Sequence, residues 1–462
     1  MKKPLGLGSG PLRFASGVFE DLGFSFLPRL WRFLASLLFT LALLALLAQF
    51  LVYVHYSVSL FRFPFDYDQG EGFELYDTVL QSQGRWPYQD SRVFPFYTSI
   101  YPPLFHIITV PLVWLFGPKL WTGRLVGFTA SLIAAGAIGW GVHRAGGNRV
   151  IAALSGLTFL ASNYTFHIGP LFRQHMTMVM FETLAIVALA QTPTLAPLAR
   201  RSQSARTGEG TPLPLSVSFP TGEGAGGWGW GLFFLLCAGY AKQLALATVL
   251  AGLGYLFLRG PKRALLAGLG LAVVAGGLFL YINLATHGWW YTSIIRANIN
   301  KYDFNQAISF YKQWFSLHLV IALIALARLI YETYFSRLSA YSVWFLFALA
   351  NGLLSGKFGA GESYFVTTTA AACVLAGIAI AKLWNWAMEA EVSQLRIGDT
   401  RRRTPLTVAV ALAIPLLYLW QTRLTLHTYT EGPIYGPIAR MLGVTGQRGY
   451  YDSQGYTQLG PR

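Results

Sequence analysis

Six carboxylates stand close together in one polar stretch of an otherwise apolar chain. Between Phe63 and Pro103 lie Asp66, Asp68, Glu71, Glu74, Asp77 and Asp90, six of the 19 acidic residues in 462. Such groups can take a proton from an attacking hydroxyl or bind a divalent cation. A solvated loop face is the plainer alternative. Cations and a histidine that could complement them lie far along the chain, at Arg173, His175, Lys242, Arg296, Lys301 and Lys357, with Glu362 beside the last. His175 reads either as a metal ligand or as a polar loop residue.

Chemistry of this kind needs the groups held on one face. Phe73, Tyr76, Val79 and Leu80 recur at i, i+3, i+6 and i+7. That spacing predicts a short amphipathic helix over Glu71–Gln81, lying in a membrane interface with Glu74 and Asp77 beside its apolar stripe.

The rest of the chain supplies the membrane. It is 54% hydrophobic and 12% charged, against about 25% charged in soluble domains. Apolar runs of about 18 residues or more recur along it, which predicts an all-α integral membrane protein. The expected fold is a bundle of about 11 transmembrane helices with interfacial helices in the first extracytoplasmic loop. The net charge of +16 follows short loops between apolar runs, so it sets topology and implies no nucleic-acid partner. The two cysteines, Cys237 and Cys373, sit inside apolar runs and offer neither a disulfide framework nor a thiolate metal site. The first apolar run follows Arg32 and is too long for a cleaved signal peptide.

The divisions expected are a cytoplasmic segment 1–32 and a first membrane part 33–191 with the catalytic loop at 57–119. A Pro-, Gly- and Ser-rich disordered cytoplasmic linker follows at 192–227, then a second membrane part 228–420 and an extracytoplasmic tail 421–462. The first span is read as Phe33–Tyr56. Leu104–Phe116 contains Pro111 and is too short to cross. The next run, Leu120–Val142, then returns His143, Arg144 and Arg149 to the cytoplasm.

Lys242 lies between two apolar stretches, Gly231–Tyr240 and Leu244–Leu258. A charge at membrane depth costs roughly 2.5–3.5 kcal/mol at a helix centre. Either Lys242 snorkels from a hairpin tip, or it faces a phosphate at the membrane surface. Arg173 and Lys357 read the same way. The run Gly356 to Gly361 around Lys357 offers backbone N–H groups to an anion but lacks the spacing of a nucleotide P-loop. Carboxylates with cations on one membrane face suit a glycosyl phosphate. One carboxylate deprotonates the incoming hydroxyl, and positive charge stabilises the departing phosphate. Inversion needs one base, whereas the retaining route needs two carboxylates.

These residues also follow a family pattern. Asp68-Gln69, Glu74, Gly84, Trp86-Pro87-Tyr88-Gln89-Asp90, Pro102-Pro103-Leu104, Phe116-Gly117-Pro118 and Gly123-Arg124 stand in this order. Looser matches are Ala241-Lys242-Gln243 and the run from Lys357-Phe358-Gly359 to Tyr364. The set resembles the polytopic glycosyltransferases that use polyprenyl-phosphate sugars, the GT-C group of protein O-mannosyltransferases and aminoarabinose transferases. Two positions depart from it. Gln69 replaces the second acid of the first loop, a place Asp66 or Glu71 could fill. Arg173-Gln174-His175 stands where relatives often have Arg-x-Asp. The large outer C-terminal domain of some relatives has no counterpart after Trp420.

The resemblance implies inverting transfer of a sugar from a polyprenyl-phosphate donor to a glycan, lipid or protein acceptor, on the extracytoplasmic face of the cell membrane. Asp68 would be the base, with Asp66 second. Glu71 and Glu74 would support it or hold a divalent cation, the one cofactor suggested. Arg173, Lys242 and Lys357 would hold the donor phosphate, with Tyr364 in the same substrate set. Arg124 would join them or simply anchor the end of a span. Two rivals are a transporter or flippase, which would show paired broken spans with midplane charges, and an O-antigen-type polymerase or ligase, which would carry its key Arg and His in a large late loop.

Overall fold

The computed structural model describes residues 29–68, 70–191, 226–395 and 404–431. The expectations for residues 1–28, for Gln69, for most of the linker and for the chain beyond residue 431 lie outside these. The described chain is helical: α1 (Arg29–Arg62), α2 (Glu71–Ser82), α3 (Leu104–Phe116), α4 (Leu120–Arg144), α5 (Arg149–Leu160), α6 (Asn163–Ile168), α7 (His175–Gln191) and α8 (Gly226–Ala241). Then follow α9 (Leu246–Arg259), α10 (Pro261–Ala285), α11 (Trp289–Ile294), α12 (Phe304–Phe335), α13 (Ala340–Asn351), α14 (Val366–Leu395) and α15 (Thr404–Glu431). The apolar runs form helices because a bilayer leaves backbone groups no partner but the chain itself. Punctuation sets their ends. Asn148 accepts from the Ile151 N–H at 2.9 Å to cap α5. Asp303 accepts from Asn305 N–H at 2.8 Å to cap α12. Pro261 opens α10, as its missing N–H permits.

Among the described residues, six helices are long and apolar enough to cross a membrane, namely α1, α4, α10, α12, α14 and α15. Six shorter apolar helices of 10–17 residues stand with them, including α3. The expected number of about 11 spans counts five of these short ones. Two helices outrun their predicted ends. α1 reaches Arg62, so residues 57–62 are helix rather than loop, and Pro64 stops it. α15 runs through Trp420 to Glu431, just before Gly432 and Pro433.

α14 is the axis of the bundle. Of its apolar window 89% is buried, against 6% for α10 at the periphery. Small residues allow this. A side chain at Gly377 of α14 would meet Ser155 Oγ of α5 at 2.3 Å, and one at Gly156 would meet the Ala135 carbonyl of α4 at 2.6 Å. Close backbone approach through Gly and Ala is how helices associate where lipid removes the hydrophobic drive. α10 instead leaves Leu265, Leu266 and Val273 more than 60% exposed, which only a lipid surround tolerates.

Hydrogen bonds identify the two ends of the bundle. At one end, Arg173 meets Asp68, Lys242 meets His175, and Asp303 N–H donates to Gly356. At the other, Asn385 donates to Gly146, and Arg259 to Leu338. The positive-inside reading of the sequence expects the first end outside. In a chain lacking Cys237 and Cys373, a cysteine replacing exposed Ser91 is expected to react with an impermeant thiol reagent added to intact cells. One replacing exposed Arg144 is expected to stay unlabelled. Labelling of Arg144→Cys alone, or of both, would reverse the orientation or break the alternation.

α12 bends at His318, where φ −120° and ψ 21° leave the helical region. The side chain of Gln421 from α15 spans the break. It donates to the Leu317 carbonyl at 2.7 Å and accepts from the Ile321 N–H at 3.4 Å.

Candidate active site

α2 begins where Asp66 accepts from the N–H groups of Gly70, Glu71 and Gly72, at 3.4, 3.2 and 3.2 Å. A carboxylate there satisfies the orphan donors and complements the helix dipole. Gly70 enters the helix at φ 126°, and a side chain on it would come within 2.8 Å of the Arg173 guanidinium. Glycine is required on both counts.

α2 turns its acidic side to the protein and leaves the leading residues of its apolar stripe outside, as an interfacial helix does. Glu71, Glu74, Asp77 and Thr78 are buried, while Phe73 and Tyr76 are 61% and 38% exposed. Phe73 stacks on Tyr97 at 5.2 Å, and Tyr76 meets the same ring edge-on at 5.5 Å. The acidic face turns inward because three other elements supply polar partners for it: Arg124 from α4, Arg173 before α7 and His106 from α3.

Glu71 and Arg124 form a fully buried pair, with Arg124 Nε donating at 2.9 Å and its terminal nitrogen at 2.6 Å. Arg124 also donates to the carbonyls of Leu60 and Phe65 at 2.6 and 2.8 Å. Glu71 accepts from the N–H groups of Phe172 and Tyr67, at 2.8 and 3.0 Å. Burial pushes the Glu71 carboxyl up, but Arg124 and the two N–H groups outweigh it and hold it below the usual range. Both side chains are saturated by protein. The expectation that Glu71 binds a cation or Arg124 a donor therefore gives way to a different task. The pair ties the end of α1, the start of α2 and α4 together.

The candidate base and phosphate-binding residues lie beside this joint. Arg173 donates to Asp68 Oδ2 from Nε at 2.8 Å, and its terminal nitrogens reach Asp68 Oδ2 at 2.7 Å and Glu74 Oε1 at 3.4 Å. Asp68 keeps 38% of its side chain exposed, whereas Glu74 is 3% exposed. Lys242 occupies the break between α8 and the short turn Gln243–Ala245 that leads into α9. It is 3% exposed, donates to His175 Nε2 at 2.6 Å and lies 4.6 Å over the Tyr101 ring. Accepting from an ammonium keeps His175 a neutral base. Burial pushes the Lys242 ammonium down to about 7, with Glu74 raising it and Arg173 lowering it. Tyr101 has its hydroxyl pushed up by burial, with smaller effects from Glu74, Arg173, Tyr364 and Asp68. Those groups surround it. The loop carrying Tyr101 is pinned where Gln243 and Asn298 donate to Ile100, at 3.2 and 3.3 Å.

Lys357 lies in the loop that leads to Tyr364. Its backbone pairs with Tyr302 and Leu354. The N–H groups of Lys357, Phe358 and Ala360 donate to Leu354, Lys301 and Lys357 carbonyls. Three donors of the expected anion nest are thus already engaged.

The site also contains residues that the sequence left unassigned. His106, in the first turn of α3, lies 3.3 Å from Glu74 and 3.9 Å from Asp77. A lone histidine in the apolar run after Pro102-Pro103 was the available signal. Burial lifts the Asp77 carboxyl to about 6, with His106 opposing and Glu74 adding to the rise. Glu74, Asp77 and His106 are the group able to hold a metal ion among the described residues.

No protein-family model matches the sequence, and no curated protein matches it. Solved structures do. ArnT from Cupriavidus metallidurans, in a crystal structure bound to undecaprenyl phosphate, superposes with a TM-score of 0.51 at 16% identity, over 84% of this chain and 79% of that one. Apo ArnT gives 0.50 and 15% over the same shares. The Archaeoglobus fulgidus oligosaccharyltransferase in its apo form gives 0.45 and 12%, over 82% of this chain and 55% of that one. At such identities the likeness is one of fold, and this chain is an all-helical membrane bundle folded like ArnT.

Proposed function

We propose that the chain transfers a hexosyl or pentosyl group, with inversion, from a polyprenyl-phosphate donor to an acceptor hydroxyl at the extracytoplasmic surface. The observation carrying this is the Asp68–Arg173 pair beside the buried Lys242, at one end of a membrane bundle. A half-exposed carboxylate there shares Arg173 with Glu74, beside a buried Lys242 whose hydrogen-bond partner is the neutral His175. The undecaprenyl phosphate bound by ArnT, a protein of like fold, supports a lipid phosphate as the anion.

The chemistry is a single displacement. The acceptor oxygen attacks the anomeric carbon while Asp68 takes its proton. The bond from that carbon to the phosphate oxygen breaks, and the electron pair leaves on the phosphate. Arg173 and Lys242 stabilise that charge, and charge-assisted bonds are about twice as strong as neutral ones. Asp66 caps α2 and is the poorer candidate for base. Tyr364 and Tyr101 wall the phosphate position. Glu71 and Arg124 hold the loop that carries Asp68. Lys357 serves at most the outer rim. A transporter would need none of this pairing.

The test is incubation of the purified protein with radiolabelled polyprenyl-phosphate sugars, scoring release of free polyprenyl phosphate. No release from any sugar, with acceptor extract present, would sink the proposal.

Lys242 gives a pH signature. Its ammonium is charged below about 7 and is lost above it, while a donor phosphodiester stays anionic throughout. Donor affinity should therefore be level below pH 7 and fall as pH rises toward 9. Binding isotherms across that range check this. Lys242→Ala should bind weakly and without the slope, and a wild-type profile flat to pH 9 would remove Lys242 from the donor site.

A further inference from the structure

We infer that Glu74, Asp77 and His106 hold one divalent transition-metal ion of the zinc class between α2 and α3. The three side chains are 3%, 1% and 0% exposed. His106 Nε2 lies 3.3 Å from Glu74 Oε2 and 3.9 Å from Asp77 Oδ2, and one ligand atom from each residue falls within 4.8 Å of the others. Ligands about 2.0–2.2 Å from a tetrahedral zinc stand roughly 3.3–3.6 Å apart.

The hydrogen bonds set the tautomer. Thr78 donates its single hydroxyl hydrogen to the Glu74 carbonyl at 2.8 Å. Its oxygen, 2.9 Å from His106 Nδ1, must then accept, so Nδ1 carries the proton. In the neutral ring Nε2 presents a lone pair toward two carboxylates. Glu74 Oε2 and His106 Nε2 are both buried and make no hydrogen bond. Lone pairs converging there repel unless a cation lies between them, either a proton on Nε2 paired with Glu74 Oε2 at 3.3 Å or a metal ion shared by all three groups.

Each ligand is also oriented from behind. His106 uses Nδ1 on Thr78. Asp77 uses Oδ1 to accept from the Tyr97 hydroxyl at 2.9 Å. Glu74 uses Oε1 to face Arg173 at 3.4 Å. Glu74 and His106 each keep one buried atom without a hydrogen bond for the common centre, and Asp77 is held in place by Tyr97 and Ser99. Outer partners of this kind fix ligand orientation in metal sites. One imidazole with two carboxylates suits zinc better than magnesium or calcium, which take oxygen ligands at higher coordination numbers. The site is closed to solvent, so the ion is a positioning element. It clamps α2 to α3 and, through the other oxygen of Glu74, steadies Arg173 against Asp68. The ion's place is independent of the glycosyl-transfer proposal.

The experiment uses the full chain in detergent, stripped with chelator and dialysed against micromolar Zn²⁺. Bound metal is counted, and Co²⁺ is substituted to record its visible absorption. Wild type should retain about one Zn²⁺ per chain, melt higher with Zn²⁺ than without, and give intense Co²⁺ bands of a four-coordinate nitrogen–oxygen site. His106→Gln keeps a polar side chain of similar reach and should lower zinc affinity at least about tenfold, while His175→Gln should not. Failure of stripped wild type to bind Zn²⁺ or Co²⁺ would overturn the inference. So would equal zinc retention by a folded His106→Gln, or loss of zinc in His175→Gln. If His106→Gln does not fold, the Co²⁺ spectrum of wild type decides, and six-coordinate pale bands refute the site. None of these readings depends on transferase activity, so failure here leaves the glycosyl-transfer proposal standing.

Discussion

Asp68→Asn is expected to lower sugar transfer by about 10²–10⁴-fold, the usual worth of a positioned general base, while the donor still binds. The substitution keeps size and polarity and removes the proton acceptor. Asp68 is the acid of the cluster that combines an ion pair with 38% exposure, so an acceptor can reach it. Losing its charge also frees Arg173 for the phosphate, and donor binding should hold or tighten. Single-turnover rates and donor titrations on one preparation separate the two effects. A variant with near-full turnover, beside an Asp66→Asn that loses it, would move the base by two residues. Normal turnover in both would leave the acidic loop without a catalytic task.

Arg124→Leu is expected to be the most destabilising single change at the site, by about 3–5 kcal/mol. It leaves Glu71 charged and buried, with the Leu60 and Phe65 carbonyls lacking their donor. Glu71→Leu alone should also destabilise, for the mirror reason. The double Leu variant should melt higher than Arg124→Leu, since an apolar pair avoids the uncompensated charge. It should not reach wild type, because Phe172 and Tyr67 keep N–H groups that lose their acceptor. Melting in detergent of the four proteins gives the coupling. A wild-type melting point for Arg124→Leu would show that this pair does not bind α1, α2 and α4 together.

The fold was legible because a membrane chain announces itself by composition. Long apolar runs become helices wherever backbone groups have no water, so α1, α4, α10, α12, α14 and α15 could be placed from hydropathy. Their ends were less clear. Polar His55, Tyr56 and Ser57 look like the exit of a span, yet α1 continues until Pro64. The amphipathic α2 was legible, but which of its sides meets the protein was not. An apolar stripe marks the docking face in water, but beside a bilayer the protein interior can be the polar side. Which carboxylate meets which cation was hidden as well. Glu71 and Arg124 are 53 residues apart, and Asp68 and Arg173 are 105 apart. Local periodicity carries no information across such distances. Arg173 and Lys242 could be nominated by charge and Asp68 by its place in the family pattern, and His106 could not, because one imidazole in an apolar run has many ordinary explanations.

The bend of α12 has a consequence for how the protein is made. A proline kink is written into one helix and is present as soon as that helix exists. Here the backbone groups released at His318 are met by Gln421, about a hundred residues later in the chain. During synthesis α12 enters the membrane well before α15 has left the ribosome. Until then Leu317 and Ile321 must bond within a straighter α12 or go without a partner. The bent form is therefore a product of completed assembly. The last described helix acts as the latch that gives an earlier one its final shape.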